Sequence, residues 1–169
     1  MSVAAIAEAS GAPVGTLDHR FGSRDGILAA AWLRALERFQ AALAAAATHP
    51  DDAVQAGVAM AGATLAFADD DPEDARLLLV LRRRDLLDGA PDDVLSASVD
   101  ATNAPLRDAI LSIARALHGR ADARTVDAVT RAVVDLPTAA IRRHLRHPGQ
   151  RLPEWLASDV TSAARVLVT

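Results

Sequence analysis

His144 and His147 stand three residues apart, a spacing that puts two imidazoles on one helix face within reach of a shared metal ion. Arg142, Arg143 and Arg146 surround them. That much positive charge opposes a divalent cation, so the pair reads as two rings in a last helical turn before Pro148 and Gly149. Arg82, Arg83 and Arg84 form a basic run that invites an anion or DNA. With Asp85 and Asp88 beside them, they read instead as cations at the negative pole of a helix dipole. His118 precedes Gly119 and reads as a helix end, whereas His49, before Pro50, lies in a loop. The paired carboxylates Asp92 and Asp93 follow Pro91 and read as a helix start. Cysteine is absent, which removes thiolate metal sites and cysteine nucleophiles. No glycine-rich phosphate loop, His-Glu-x-x-His or Gly-x-Ser-x-Gly sequence occurs. The chemistry-bearing residues point to no cofactor, no metal and no enzyme.

The elements behind these residues are helices. Alanine, leucine and arginine dominate the 169 residues, only five of which are aromatic. The expected class is all-α. All eighteen basic residues are arginine, which GC-rich codon usage explains. Proline followed by acids announces helix starts at Pro50, Pro72, Pro91 and Pro153. Gly89, Gly119 and Gly149 mark helix ends. These signals predict helices near 3–9, 13–20, 24–47, 51–69, 72–88, 92–118, 122–146 and 153–168. Leu28, Trp32, Leu36, Phe39 and Leu43 form one apolar stripe on the third. The Leu77–Leu81 run is apolar all round and predicts a buried centre. Pro137 predicts a kink that opens space for a ligand or shapes a subunit seam. No run of eighteen apolar residues and no charged leader is present, so the expectation is a cytoplasmic protein off the membrane.

Residues 2–26 carry the most specific pattern. They read as a helix, a glycine turn, a second short helix and the start of a long third one, the layout of a helix-turn-helix. Ala5 and Ala9 allow two helices to approach, and Gly11 can take the positive φ of a tight turn. Ile6, Val14, Leu17 and Phe21 are the expected small core.

This segment resembles the DNA-binding domain of the tetracycline-repressor (TetR) family. Ile6–Ala7, Gly11, Gly15–Thr16–Leu17, Phe21, Ser23 and Ile27–Leu28 fall in register with the family pattern, and Arg24–Asp25 stands where the family has Lys-Glu. The resemblance covers about fifty residues once the long helix is counted. Three features depart from it. Only Met1 and Ser2 stand where the family has a first helix, Asp18 replaces an aromatic on the recognition helix, and Pro13 replaces a hydroxyl cap. Asp18 adds negative charge to a face that should meet phosphates. The expectation from the first departure is a natural start some tens of residues upstream. The net charge of −4 also lacks a basic footprint, and residues 1–47 are neutral.

The resemblance implies a truncated helix-turn-helix domain over 1–47, followed by a helical effector-binding and dimerisation domain over 48–169. It implies a transcriptional regulator, a repressor relieved by a small hydrophobic effector, acting as a homodimer on double-stranded DNA. Thr16, His19, Arg20 and Arg24 take the DNA-contacting positions. Thr16 alternatively stabilises its helix, and Arg24 alternatively pairs with Asp25 or Glu37. Met60, Thr64, Phe67, Leu78, Leu81, Thr102, Asn103 and Leu106 are the candidate effector-pocket lining, with ordinary core or surface positions as their alternative. Val126, Val129, Val133, Ile141, Trp155 and Val160 are the candidate dimer interface. The alternative function is a dimeric small-molecule-binding or interaction protein that has lost DNA binding.

Overall fold

The structure, a computed structural model, describes residues 3–47, 52–81 and 93–169. The Arg82–Arg84 run, His49, Gly89 and the paired acids' Asp92 lie outside the described residues, as do the side chains of Ala9 and Asp18. Among the described residues every regular element is helical and no strand occurs. In chain order they are α1 (Val3–Ser10), α2 (Val14–Phe21), α3 (Arg24–Ala46), α4 (Ala53–Asp70), α5 (Pro72–Val80) and α6 (Asp93–His118). Then come α7 (Ala123–Thr130), a π-helical segment (Arg131–Asp135), α8 (Leu136–His144) and α9 (Leu156–Leu167).

Side-chain caps fix several helix starts. The Ser23 hydroxyl accepts the Gly26 N–H at 3.0 Å at the head of α3. Asp52 accepts the Gln55 N–H at 2.8 Å ahead of α4, and Asp122 accepts the Thr125 N–H at 3.0 Å ahead of α7. That backbone bond, aided by Arg120, holds the Asp122 carboxyl below its ordinary range.

Helix α4 is the centre of the body. Its many alanine and glycine positions let neighbours approach closely between Val58, Met60, Leu65 and Phe67, and α3, α5, α6, α8, α9 and the π segment all pack on it. At Gly57 a Cβ would stand 3.4 Å from Cγ1 of Val168, the residue just after α9, an ordinary contact distance. One apolar cluster joins Leu43, Met60, Ile110, Ile113, Val129, Val133 and Val168. A second joins Leu65, Phe67, Ala75, Ile141, Leu145, Leu156 and Val160. A third, Trp32 with Leu36 and Val99, takes the flank of α5 through Leu77, Leu78 and Leu81.

Four expectations change. The 72–88 helix closes at Val80, and Leu81 is already extended, with φ −92° and ψ 128°. The Leu77–Leu81 run is a flank rather than a buried centre: its leucines are half-buried, and Val80 is 68% exposed because nothing among the described residues covers that side of α5. The 122–146 helix is divided by the π segment, where the Leu136 N–H reaches back to the Arg131 carbonyl. Pro137 has no N–H to offer Val133, which is compatible with the widened turn just before it. The last helix begins at Leu156, after a turn closed by the Leu156 N–H on the Pro153 carbonyl at 3.0 Å.

At the N-terminal end Gly11 has φ +68°, the left-handed turn between α1 and α2. Ala7, 5% exposed, is the buried hydrophobic side chain there, while Ile6, Leu17 and Phe21 are half-buried. Val14 is exposed rather than in this small core, and Ala5 is exposed as well. Val14 is the first residue of α2, and α2 packs against both α1 and α3.

Candidate functional site

Two surfaces merit a functional account, and α3 connects them. The first lies on α2. The Pro13 carbonyl accepts the Thr16 and Leu17 N–H groups at 3.0 and 3.3 Å, which closes the first turn. Thr16, His19 and Arg20, spaced three and four apart, then share one exposed face and enclose a shallow concavity with Gly15. Arg20 lies over the Phe21 ring, 5.6 Å from its centroid, which leaves the guanidinium supported at the surface. Arg24 stands in the first turn of α3 and pairs with Asp25 at 3.0 Å, both largely exposed.

The second is a cavity of about 190 Å³ between α3, α4, α5 and α8. Trp32, Leu36 and Phe39 face it from α3, and Thr64, Phe67 and Ala68 from α4. Ala75, Leu78 and Leu79 on α5 and Thr138, Ile141 and Arg142 on α8 complete the wall. Phe39 and Phe67 pack with ring centroids 5.4 Å apart and planes tilted by 59°. The Trp32 indole N–H donates to the Leu81 carbonyl at 3.1 Å, which ties the end of α5 to α3. Arg38, six residues further along α3, grips the bend between α4 and α5 through Asp71 at 2.6 Å and Asp74 at 2.5 Å. The hydrogen bond to Asp71, foremost, holds the Arg38 guanidinium above its ordinary pKa.

No family model, curated protein or solved structure matches the chain. Its own geometry therefore carries the functional argument.

Of the eight candidate pocket residues, Thr64, Phe67 and Leu78 line the cavity. Met60 is fully buried in the first apolar cluster, and Leu106 packs against it. Leu81 rests on the Trp32 cluster. Thr102 and Asn103 belong to α6, where Asn103 accepts a hydrogen bond from Gln40 at 2.8 Å on a different side of α3. The buried Gln40 Oε1 has no hydrogen-bond partner among the described residues. The lining residues on α3 and α8 were not singled out for the pocket. Two sequence signals point to them: the Trp32–Leu36–Phe39 stripe, and Pro137, directly after which come Thr138, Ile141 and Arg142.

The candidate dimer residues are placed mostly inside the chain. Val129, Val133, Ile141 and Val160 are buried in the two main clusters, and Val126 packs beside the first. The apolar stripe on these helices is consumed by α4 and α6 of the same chain. Trp155 differs: it is 57% exposed, with the His144 ring edge-on at 5.9 Å. Val166 and Leu167 on α9 are also exposed. His147 holds a turn, donating its backbone N–H to Gln150 while its carbonyl accepts from Arg76.

Proposed function

We propose that this chain is a TetR-like DNA-binding transcriptional regulator, a homodimeric repressor released when a small hydrophobic effector enters the α3–α4–α5–α8 cavity. One observation carries the proposal. Helix α3 runs unbroken from Arg24, beside the exposed α2 face, to Trp32, Leu36 and Phe39 in the cavity wall. The span from residue 24 to residue 39 is about 22 Å of stiff rod. Any ligand that tilts the wall end of this rod moves α2. A ligand with higher affinity for the tilted state then shifts the population away from the DNA-competent one. In a dimer the two α2 faces must match half-sites roughly 34–36 Å apart, so small tilts suffice to break the fit.

Binding of a labelled mixed-sequence duplex, followed against salt concentration, tests the proposal. Affinity should fall steeply between about 50 and 200 mM salt, and the Arg20→Ala, Arg24→Ala double variant should flatten the slope by about one per lost phosphate contact. A second reading, a dimeric ligand-binding protein without DNA affinity, is favoured by the thin packing around Ala7 and the exposure of Val14. Absence of any duplex binding at low salt would establish that second reading over the first.

A further inference from the structure

The cavity's size and its polar edge together narrow the effector. Its 190 Å³ is below the usual range of drug-sized pockets, and at about 30 Å³ per water-sized group it has room for roughly six heavy atoms. Ten of its lining residues offer hydrocarbon, an aromatic face or, in Thr64, a hydroxyl already donated to the Met60 carbonyl at 3.2 Å. The remaining two, Thr138 and Arg142, are one turn apart on α8. Neither makes a side-chain hydrogen bond or ion pair among the described residues. Arg142 is exposed, so it marks the rim, and it also borders a separate surface depression lined by Arg143 and Arg146. The nearest carboxylates on α5 are engaged elsewhere: Asp74 holds Arg38, and Glu73 holds Arg76.

Resting on the reading of this cavity as the effector site, we propose that its ligand is a short aliphatic carboxylate of about six to eight carbons, with its alkyl chain in the cavity and its carboxylate at the rim. The chain lies among Trp32, Leu36, Phe67, Leu78 and Ile141, and the carboxylate meets the Arg142 guanidinium and the Thr138 hydroxyl. Arginine presents a planar fork that matches two carboxylate oxygens, and a charge-assisted bond of this kind outweighs a neutral one. An uncharged alcohol of the same length fills the same hydrocarbon space without that bond.

Calorimetric titration of the full chain with sodium hexanoate and with 1-hexanol tests this. Hexanoate should bind about tenfold more tightly, and Arg142→Gln should erase the difference while leaving hexanol affinity unchanged. Arg143→Gln, an exposed neighbour outside the cavity lining, should leave the preference intact. Affinity should rise about fourfold per methylene from hexanoate to octanoate and stop rising by dodecanoate, when the cavity is full. Equal affinities for hexanoate and hexanol would overturn the carboxylate proposal but leave the apolar effector cavity standing. A preference lost equally in Arg143→Gln would overturn it too, since diffuse surface charge would then be the cause. Failure of both probes to bind would remove the effector site itself.

Discussion

At the scale of single residues, the most constrained position is Gly26 in the first turn of α3. A Cβ there would stand 2.0 Å from the Phe21 carbonyl oxygen, far inside any permitted contact. The chain turns so tightly through Gly22 and Ser23 that the last carbonyl of α2 lies against the α3 backbone. Ordinarily an alanine replacing a helical glycine gains about 1 kcal/mol of helix propensity. Here the sign should reverse. Gly26→Ala must push Phe21 and α3 apart, at a cost of about 1–3 kcal/mol from overpacking. Tryptic cleavage after Arg20 and Arg24 is a direct readout, because both bonds flank the strained turn. Cleavage should speed up in the variant, and an unchanged rate would mean that the turn relaxes freely. Sequence patterning gave Gly26 no special role, since a glycine within a helix signals a close approach only when its neighbours in space are known. The exposed Thr16, His19 and Arg20 were easier to read, because spacing alone puts them on one face.

Among the elements, helix starts were legible and helix partners were not. Asp52 caps α4 where the Pro50 acid cluster announces a start, and Asp122 caps α7 at the start expected after Gly119. An apolar stripe, by contrast, says that a face is covered without saying by what. Val129, Val133 and Val160 satisfy that demand inside the chain, and the same stripe would fit a subunit seam equally well. Pro137 is the subtler case. A proline in a helix interior usually costs about 3 kcal/mol relative to alanine, so its removal should stabilise. Yet Pro137 is less than 2% exposed, and the π segment ahead of it sets the rotation at which Ile141 and Leu145 enter the core. Removing the extra residue of that segment would turn α8 by about 100° and expose both. The structure therefore keeps the π geometry, and Pro137→Ala leaves a void and an added buried N–H instead. The denaturant midpoint should fall, by about 1–3 kcal/mol in stability. A higher midpoint would show that the proline alone imposes the widened turn.

Over the whole molecule, burial is uneven in a way that suits a moving N-terminal end on a firm body. Helix α4 is covered along most of its length, only Ala66 and the Asp69 and Asp70 end being exposed, with Met60 and Ala61 fully buried, and Leu43 of α3 is fully buried as well. Among the described residues, helices α1 and α2 rest on Ala7 and four half-buried side chains, Val3, Ile6, Leu17 and Phe21. Segments with so little apolar contact open locally at a small fraction of the global unfolding free energy. Leu43→Ala removes a fully buried side chain from the main cluster and should lower body stability by about 2–5 kcal/mol. Amide hydrogen exchange separates the two parts. Protection at Met60–Leu65 should drop by the full amount, whereas the amides of α2, expected to exchange faster from the start, should exchange as before. If α2 and α4 lose protection together, the molecule opens as one cooperative unit, and a ligand acting through α3 would have to work against the whole core to move α2. If they separate, the stiff length of α3 is what couples the cavity wall to α2, and a few contacts at Trp32, Leu36 and Phe39 are enough to set its position.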